Sequence, residues 1–249
     1  MMRMSWQVSV LRLQKLIYAM RSEIGRRALW YGVGASVEHV PALRGQEFST
    51  VIDVGANRGQ FSVFARTLYP QARIFSFEPL PAAGACFRKI FARDDKVTLY
   101  SVALGDVDGV TALHVAAKND SSSLLPIGPA QRATFGTREV DTVPVEVLRL
   151  DEVLSTNDIS RPALLKIDVQ GAEAEVLRGC RILLGCVDAV YLEGSYIELY
   201  QGQKLISEIR SDLVSFGFAL HGTFNEATDA NGIVVQADFL FFAQSSSFR

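Results

Sequence analysis

Short β-branched and aliphatic runs alternate along most of this chain with longer stretches in which apolar residues recur at three- and four-residue steps. The first kind reads as buried strands and the second as amphipathic helices. Residues 50–54, 72–77 and 97–104 are predicted strands. Between them Phe61, Phe64, Ala65 and Leu68 form one helical face that Pro70 closes, and a second helix covers 81–93. Residues 163–169 and 187–192 are strands around a helix that starts at Gly171 and carries Glu173, Val176, Leu177 and Ile182. The last units are a helix over 204–216 and strands 218–223 and 234–243, joined by a turn with Asn225, Asp229, Asn231 and Gly232. The alternation predicts a parallel, doubly wound α/β sheet with right-handed crossovers, and the closely spaced final strands predict an antiparallel hairpin.

Two stretches depart from this rhythm. Residues 111–116 and 143–148 alternate like half-exposed strands, and between them lies a polar stretch with Asn119, Asp120, Ser121, Ser122 and Ser123. An insertion at the ligand edge of a sheet is where specificity is built, and a mobile surface loop is the alternative. In residues 1–30, Val10, Leu13, Ile17, Met20 and Ile24 mark one helical face. Gly32, Gly34 and Pro41 form a connector, so residues 1–45 read as a helical extension and 46–249 as one domain.

Charge sharpens the picture of the extension. Arg3, Arg12, Lys15, Arg21, Arg26 and Arg27 face only Glu23, which leaves residues 1–30 at +5 and, with a net charge of -2, the remainder at -7. A basic amphipathic helix docks its apolar stripe on its own core or on a second subunit, or lies on an anionic membrane; docking on the core or on a second subunit is the expectation. The balance of the whole chain, near pI 6.0, argues against a nucleic-acid binder. Cys86, Cys180 and Cys186 lack metal-ligand spacing. No apolar run reaches the length of a membrane span, and the expected location is the cytoplasm.

The candidate chemistry gathers at strand ends. Asp53 closes the first strand, and Gly55, Asn57 and Gly59 follow in a tight loop before the first helix. Such a loop lets a ligand approach the backbone, although a plain strand–helix connection has the same form. A dinucleotide loop spaces its glycines G-x-G-x-x-G for a pyrophosphate, which Asp53 would repel. The carboxylate suits a ligand with an ammonium group, as in S-adenosylmethionine. Glu78 ends the second strand about 20 residues beyond the loop, where such folds place an acid for ribose hydroxyls, and Pro79 fixes the outgoing turn. Ala103 falls on the same edge as a wall for an adenine ring. Asp168 and Glu193 end two later strands and converge on one rim, as a general base or as ligands of an oxygen-preferring divalent cation. His221 is a third candidate.

Taken together, residues 53–59 (Asp-Val-Gly-Ala-Asn-Arg-Gly), 77–79 (Phe-Glu-Pro), 102–106 (Val-Ala-Leu-Gly-Asp), 122–124 (Ser-Ser-Leu) and 166–173 (Lys-Ile-Asp-Val-Gln-Gly-Ala-Glu) resemble the FkbM-type S-adenosylmethionine-dependent methyltransferases. The resemblance runs from about Val51 to Glu193. It implies a class I sheet of order 3-2-1-4-5-7-6 with strand seven reversed, and O-methylation of a hydroxyl on a sugar, polyketide or related natural product. Gln170 stands where the family pattern usually has Glu. A nicotinamide-dependent oxidoreductase and a non-catalytic binding module with the same fold are the competing classes.

Overall fold

The computed structural model of the chain describes residues 13–244, with a seven-stranded sheet through its middle. In chain order the first strands are β1 (Thr50–Val54), β2 (Arg73–Phe77) and β3 (Val97–Tyr100). Next come β4 (Ala103–Leu104), β5 (Gly109–Ala116) and β6 (Glu139–Leu148), then β7 (Ala163–Ile167), β8 (Ala189–Ser195), β9 (Phe218–Thr228) and β10 (Val234–Ala243). The large sheet has the order β3-β2-β1-β7-β8-β10-β9, and β10 is antiparallel to both neighbours. Counted among its own seven strands this is 3-2-1-4-5-7-6 with the seventh reversed, the class I arrangement.

Helices cover both faces. They are α1 (described over 13–20), α2 (Glu23–Trp30), α3 (Val40–Leu43), α4 (Gln60–Leu68), α5 (Pro81–Phe91), α6 (Pro129–Phe135), α7 (Leu150–Val153), α8 (Glu173–Arg178) and α9 (Ile206–Ser215). Strands buried on both sides need apolar residues at consecutive positions, which is why 50–54 reads as a run rather than an alternation. Ile52, Phe75, Leu165 and Val190 pack under α7, α8 and α9. Val51, Ile74, Leu164 and Leu240 pack under α2, α3, α4 and α5 on the other face.

Strand register then decides which polar groups meet. Asp53 lies beside Ser76 and Lys166, and Lys166 lies beside Tyr191. Side chains repeat their direction every second residue. Two residues further along the same face come Glu78, Gly55, Asp168 and Glu193, and Glu193 is opposite Asp238 of β10. Carboxylates thus cap four of five neighbouring strands at one edge.

Several expectations are corrected. The predicted strand 97–104 breaks after Tyr100, and β4 leaves the large sheet to pair in parallel with β6. With β5 antiparallel on the far side of β6, these form a second, three-stranded sheet. Both sheets use the same two-residue period, so alternation along the chain carries no mark of the change of partner. β9 runs on through Asn225, predicted as a turn residue, because φ +49° there lets the strand bulge instead of reversing. α8 stops at Arg178, leaving Ile182 67% exposed.

The N-terminal stripe does not dock on the chain's own core. Val10 lies outside the described residues, while Leu13, Leu16, Ile17 and Met20 are 47–56% exposed. The docked face of α1 is instead Lys15, Tyr18 and Ala19. Lys15 pairs with Glu38 at 3.1 Å, and Tyr18 stacks on Phe64 and donates to its carbonyl. Ala19 is fully buried where α2 crosses closely: a Cβ on Gly25 would stand 2.2 Å from the Ala19 carbonyl oxygen. Aromatic stacking and backbone approach outcompete the aliphatic stripe, which stays open to solvent beside Arg21 and Arg26. Among the described residues no helix is long and apolar enough to cross a membrane.

Gly25→Ala should therefore destabilise the protein by ~1–3 kcal/mol through overpacking, whereas Ile17→Ser should stay within ~0.5 kcal/mol of wild type. Thermal denaturation of the two variants tests the docked face; the opposite ranking would reverse it.

Candidate active site

A cavity of about 580 Å³ opens at the edge where the strand tips converge. The loop after β1 forms part of its floor. Gly55 takes φ +78°, and a Cβ there would meet the Asp168 carbonyl oxygen at 1.8 Å, so the glycine makes room for the neighbouring strand end rather than for a ligand. Asn57 (φ +47°) and Gly59 (φ +97°) complete the turn, with Gly59 capping α4. The loop's own N–H groups are consumed internally. Gly55 and Ala56 donate to the Phe77 carbonyl, and Asn57 donates to Glu78 Oε2 at 2.8 Å.

Glu78 is buried at the tip of β2 and also accepts from the Leu80 N–H at 2.8 Å. Burial pushes its pKa above the ordinary glutamate value, against the pull of these two N–H groups. A carboxylate has about four lone-pair sites, so two acceptor positions remain toward the cavity. Beside it Pro79 and Ala103 line the cavity together with Leu80, Leu104 and Leu113. Ala103 takes part although it belongs to the small sheet, whose apolar cluster joins Leu113 and Val147 to Leu80 and Leu124.

Asp53 does not face the cavity. It is fully buried, accepts from Ser62 Oγ at 2.6 Å and pairs with Lys166 Nζ at 3.0 Å. The ammonium expected from a ligand is supplied by the protein. Lys166 also donates to the carbonyls of Gly55 and Val54 at 3.2 and 3.3 Å and itself lines the cavity. Burial alone would lower its pKa, but Asp53, Asp168 and Glu193 outweigh that and hold it above the usual lysine value. A lysine inside the apolar run 163–167 was the available signal for this role.

Asp168 and Glu193 meet as the sequence suggested, and Gln170 joins them. Its side-chain amide donates to Asp168 Oδ1 at 2.8 Å and to Glu193 Oε2 at 2.6 Å. The amide's orientation is set from behind, where the Tyr200 hydroxyl donates to Gln170 Oε1 at 2.8 Å. Burial first, then the Asp168 charge, pushes Glu193 well above the ordinary glutamate value. The two amide hydrogens occupy the place between the acids that a bridging cation would need. Among the described residues no group of three or more His, Cys, Asp or Glu side chains is arranged to hold a metal ion.

The remaining walls come from far along the chain. Lys118, Asp120 and Ser121–Ser123 of the insertion line the cavity, and Ser123 Oγ anchors the segment by donating to the Gln170 carbonyl at 2.6 Å. His221 is not part of the site; it is exposed on β9 with its ring edge-on to Phe242. The histidine that does line the cavity is His39, which sequence reading missed because it sits in the irregular connector. Four buried acceptor atoms of the lining have no hydrogen-bond partner: Glu38 Oε2, Asn57 Oδ1, Gln60 Oε1 and Gln131 Oε1.

The chain is similar to named proteins. The sequence model described as the methyltransferase FkbM domain matches residues 53–220. The 2-O-methyltransferase NoeI of Sinorhizobium fredii is 30% identical over 173 residues, which cover 67% of this chain and 71% of that protein. The hexuronic acid methyltransferase AglP of Haloferax volcanii is 26% identical over 171 residues, covering 66% and 64%. Among solved structures, magnesium protoporphyrin IX methyltransferase from Synechocystis PCC 6803 with bound SAM aligns with a TM-score of 0.46 at 10% identity, over 93% of this chain and 83% of that one.

The amide bridge has a pH signature. In Gln170→Glu the new carboxyl sits between two acids, so its folded pKa rises above the unfolded value near ~4.3. The variant should then lose stability relative to wild type as pH climbs through that window, by ~1–3 kcal/mol at pH 8 and less at pH 5. Differential scanning calorimetry of both proteins across this range checks it; a pH-independent difference would contradict the bridge.

Proposed function

The chain belongs to the methyltransferase FkbM family, and from that premise we propose an S-adenosylmethionine-dependent O-methyltransferase acting on a hydroxyl of a sugar, polyketide or related small-molecule or glycan acceptor. The observation that carries this reading is the one-sided polarity of the cavity. Its unpartnered buried atoms are all acceptors, and Glu38, Glu78, Asp120, Asp168, Glu193 and Asp238 outnumber Lys15, Lys118 and Lys166 around it. A buried polar atom without a partner costs ~1–3 kcal/mol, so a donor-rich ligand gains what the empty wall lacks. S-adenosylmethionine offers an ammonium, ribose hydroxyls, an adenine amine and a positive sulfur. A dinucleotide pyrophosphate would meet carboxylates and a glycine loop whose first N–H groups are already engaged.

In this reading Glu78 accepts both ribose hydroxyls, Gly55, Asn57, Gly59 and Pro79 shape the turns around it, and Ala103 with its apolar neighbours takes the adenine ring. Asp53 acts at one remove, by holding Lys166. Asp168 and Glu193 hold the acceptor through hydroxyls beside the one that is methylated, and the Gln170 amide keeps both side chains in place. When bound, the donor supplies a methyl carbon already attached to a good leaving group, so placing the acceptor oxygen in line supplies a large share of the rate. The relatives' activities toward 2-O positions and hexuronic acids support a carbohydrate acceptor.

Isothermal titration calorimetry with S-adenosylmethionine, and with NAD(H) in parallel, tests the assignment. Wild type should bind only the methyl donor, and Glu78→Ala should weaken it at least ~10-fold, the loss of one charge-assisted contact. Absent binding, or undiminished binding by the variant, refutes the reading.

A further inference from the structure

One wall of the cavity is left over by this account. His39, Asn225 and Asp238 line it beside Glu38 and Lys15, and all of them lie outside the segment 53–220 that the family shares. Tyr191 lies behind them. Its hydroxyl donates to Asp238 Oδ2 at 2.6 Å, and Asn225 Nδ2 donates to the same oxygen at 2.7 Å. His39 Nδ1 stands 2.9 Å from the Tyr191 oxygen and 3.3 Å from Asp238 Oδ2.

These contacts select a tautomer. Asn225 Nδ2, the other donor beside Nδ1, stands 3.5 Å from it and makes its closer contact to Asp238 at 2.7 Å, and the one Tyr191 proton is also spent on Asp238, so His39 Nδ1 has no close hydrogen to accept. It makes these contacts by carrying its own proton and donating to the phenol oxygen or the carboxylate. The neutral ring then holds its lone pair on Nε2, and no hydrogen bond engages Nε2 among the described residues. Edge contacts to Phe61, Phe64 and Tyr191 fix the ring plane. Burial would raise Asp238, yet the hydrogen bonds from His39, Asn225 and Tyr191 hold it below the ordinary aspartate value, so a charged partner backs the imidazole. Across the sheet Asp238 is the direct neighbour of Glu193, which brings this wall beside the carboxylates assigned to holding the acceptor.

We propose that His39 Nε2, oriented through Nδ1 by Asp238 and Tyr191, is the catalytic base that accepts the proton of the acceptor hydroxyl. The acceptor oxygen loses its proton to Nε2 and gains the methyl carbon; the carbon–sulfur bond breaks with its electron pair left on sulfur. The positive charge passes from sulfur to the imidazolium, against Asp238. The inference rests on the methyltransferase reading and adds the residue that removes the proton.

Two measurements decide it. The chain has only three histidines, so long-range proton–nitrogen NMR of the labelled chain, with His39→Gln for assignment, reads each tautomer. Neutral His39 should carry its proton on Nδ1, and Asp238→Asn should shift it toward Nε2; a wild-type Nε2–H form overturns the proposal. The second is transfer of labelled methyl to a panel of methyl glycosides, with pH profiles interpreted against the surrounding Glu38, Lys15, Lys166, Glu193, Asp238 and Tyr191. His39→Gln should lower kcat at least 100-fold and abolish the acid limb, with S-adenosylmethionine affinity by calorimetry within threefold of wild type. Retained turnover overturns the base role. Wild type that binds the donor but methylates no glycoside removes the carbohydrate acceptor alone, and the tautomer then decides the proposal.

Discussion

A buried ammonium must find a partner for each of its hydrogens, and Lys166 does so with Asp53 and the carbonyls of Val54 and Gly55. Left uncompensated, such a charge costs several kcal/mol. The lysine therefore holds the tip of β1 against β7 and pulls two loop carbonyls down into the sheet. With the carbonyls committed, the loop's first N–H groups turn to Phe77 and Glu78, which joins β2 to the same knot. Three strand tips and the turn between them are set by one salt bridge and its hydrogen bonds, and Asp53 contributes without touching the cavity.

That arrangement concentrates negative charge at the edge, because Glu78, Asp168, Glu193 and Asp238 all follow from the same register. Like charges at this range raise one another's pKa or require a donor between them. Gln170 is that donor for the central pair. Its left-handed backbone, φ +58°, and the Tyr200 hydroxyl aim the amide so that both hydrogens face carboxylates. A glutamate in its place would add a third acid and invite a proton or a cation, so one substitution of nitrogen for oxygen separates two electrostatic designs of this edge.

The walls have a different origin from the floor. The knot, Glu78 and the Gln170 bridge lie within the segment shared with the FkbM family, as does the insertion carrying β5 and β6. The opposite wall is built from α1, the connector around His39 and the bulge in β9, all outside it. The floor is therefore set by the core of the sheet, whereas this wall is carried by loops and an extension on that rigid scaffold.

Much of this was legible in the chain. The strand–helix alternation, the glycine loop, the acids at the strand ends and the terminal hairpin all appear in order, because periodicity reports which face of an element is buried and local residue types report turns. Periodicity does not name the partner. Whether 97–104 stays in one sheet, whether Asn225 turns or bulges, and which face of α1 docks depend on surfaces brought up by distant segments. The same limit governs the polar groups. Asp53 alone suits a ligand's ammonium, but Lys166 beside it takes that place, and Gln170 becomes a bridge only because Asp168, Glu193 and Tyr200 surround it. A side chain's charge is written in the sequence; what neutralises it is decided by long-range contacts, because hydrogen bonds act over about 3 Å and only the folded chain brings such residues that close.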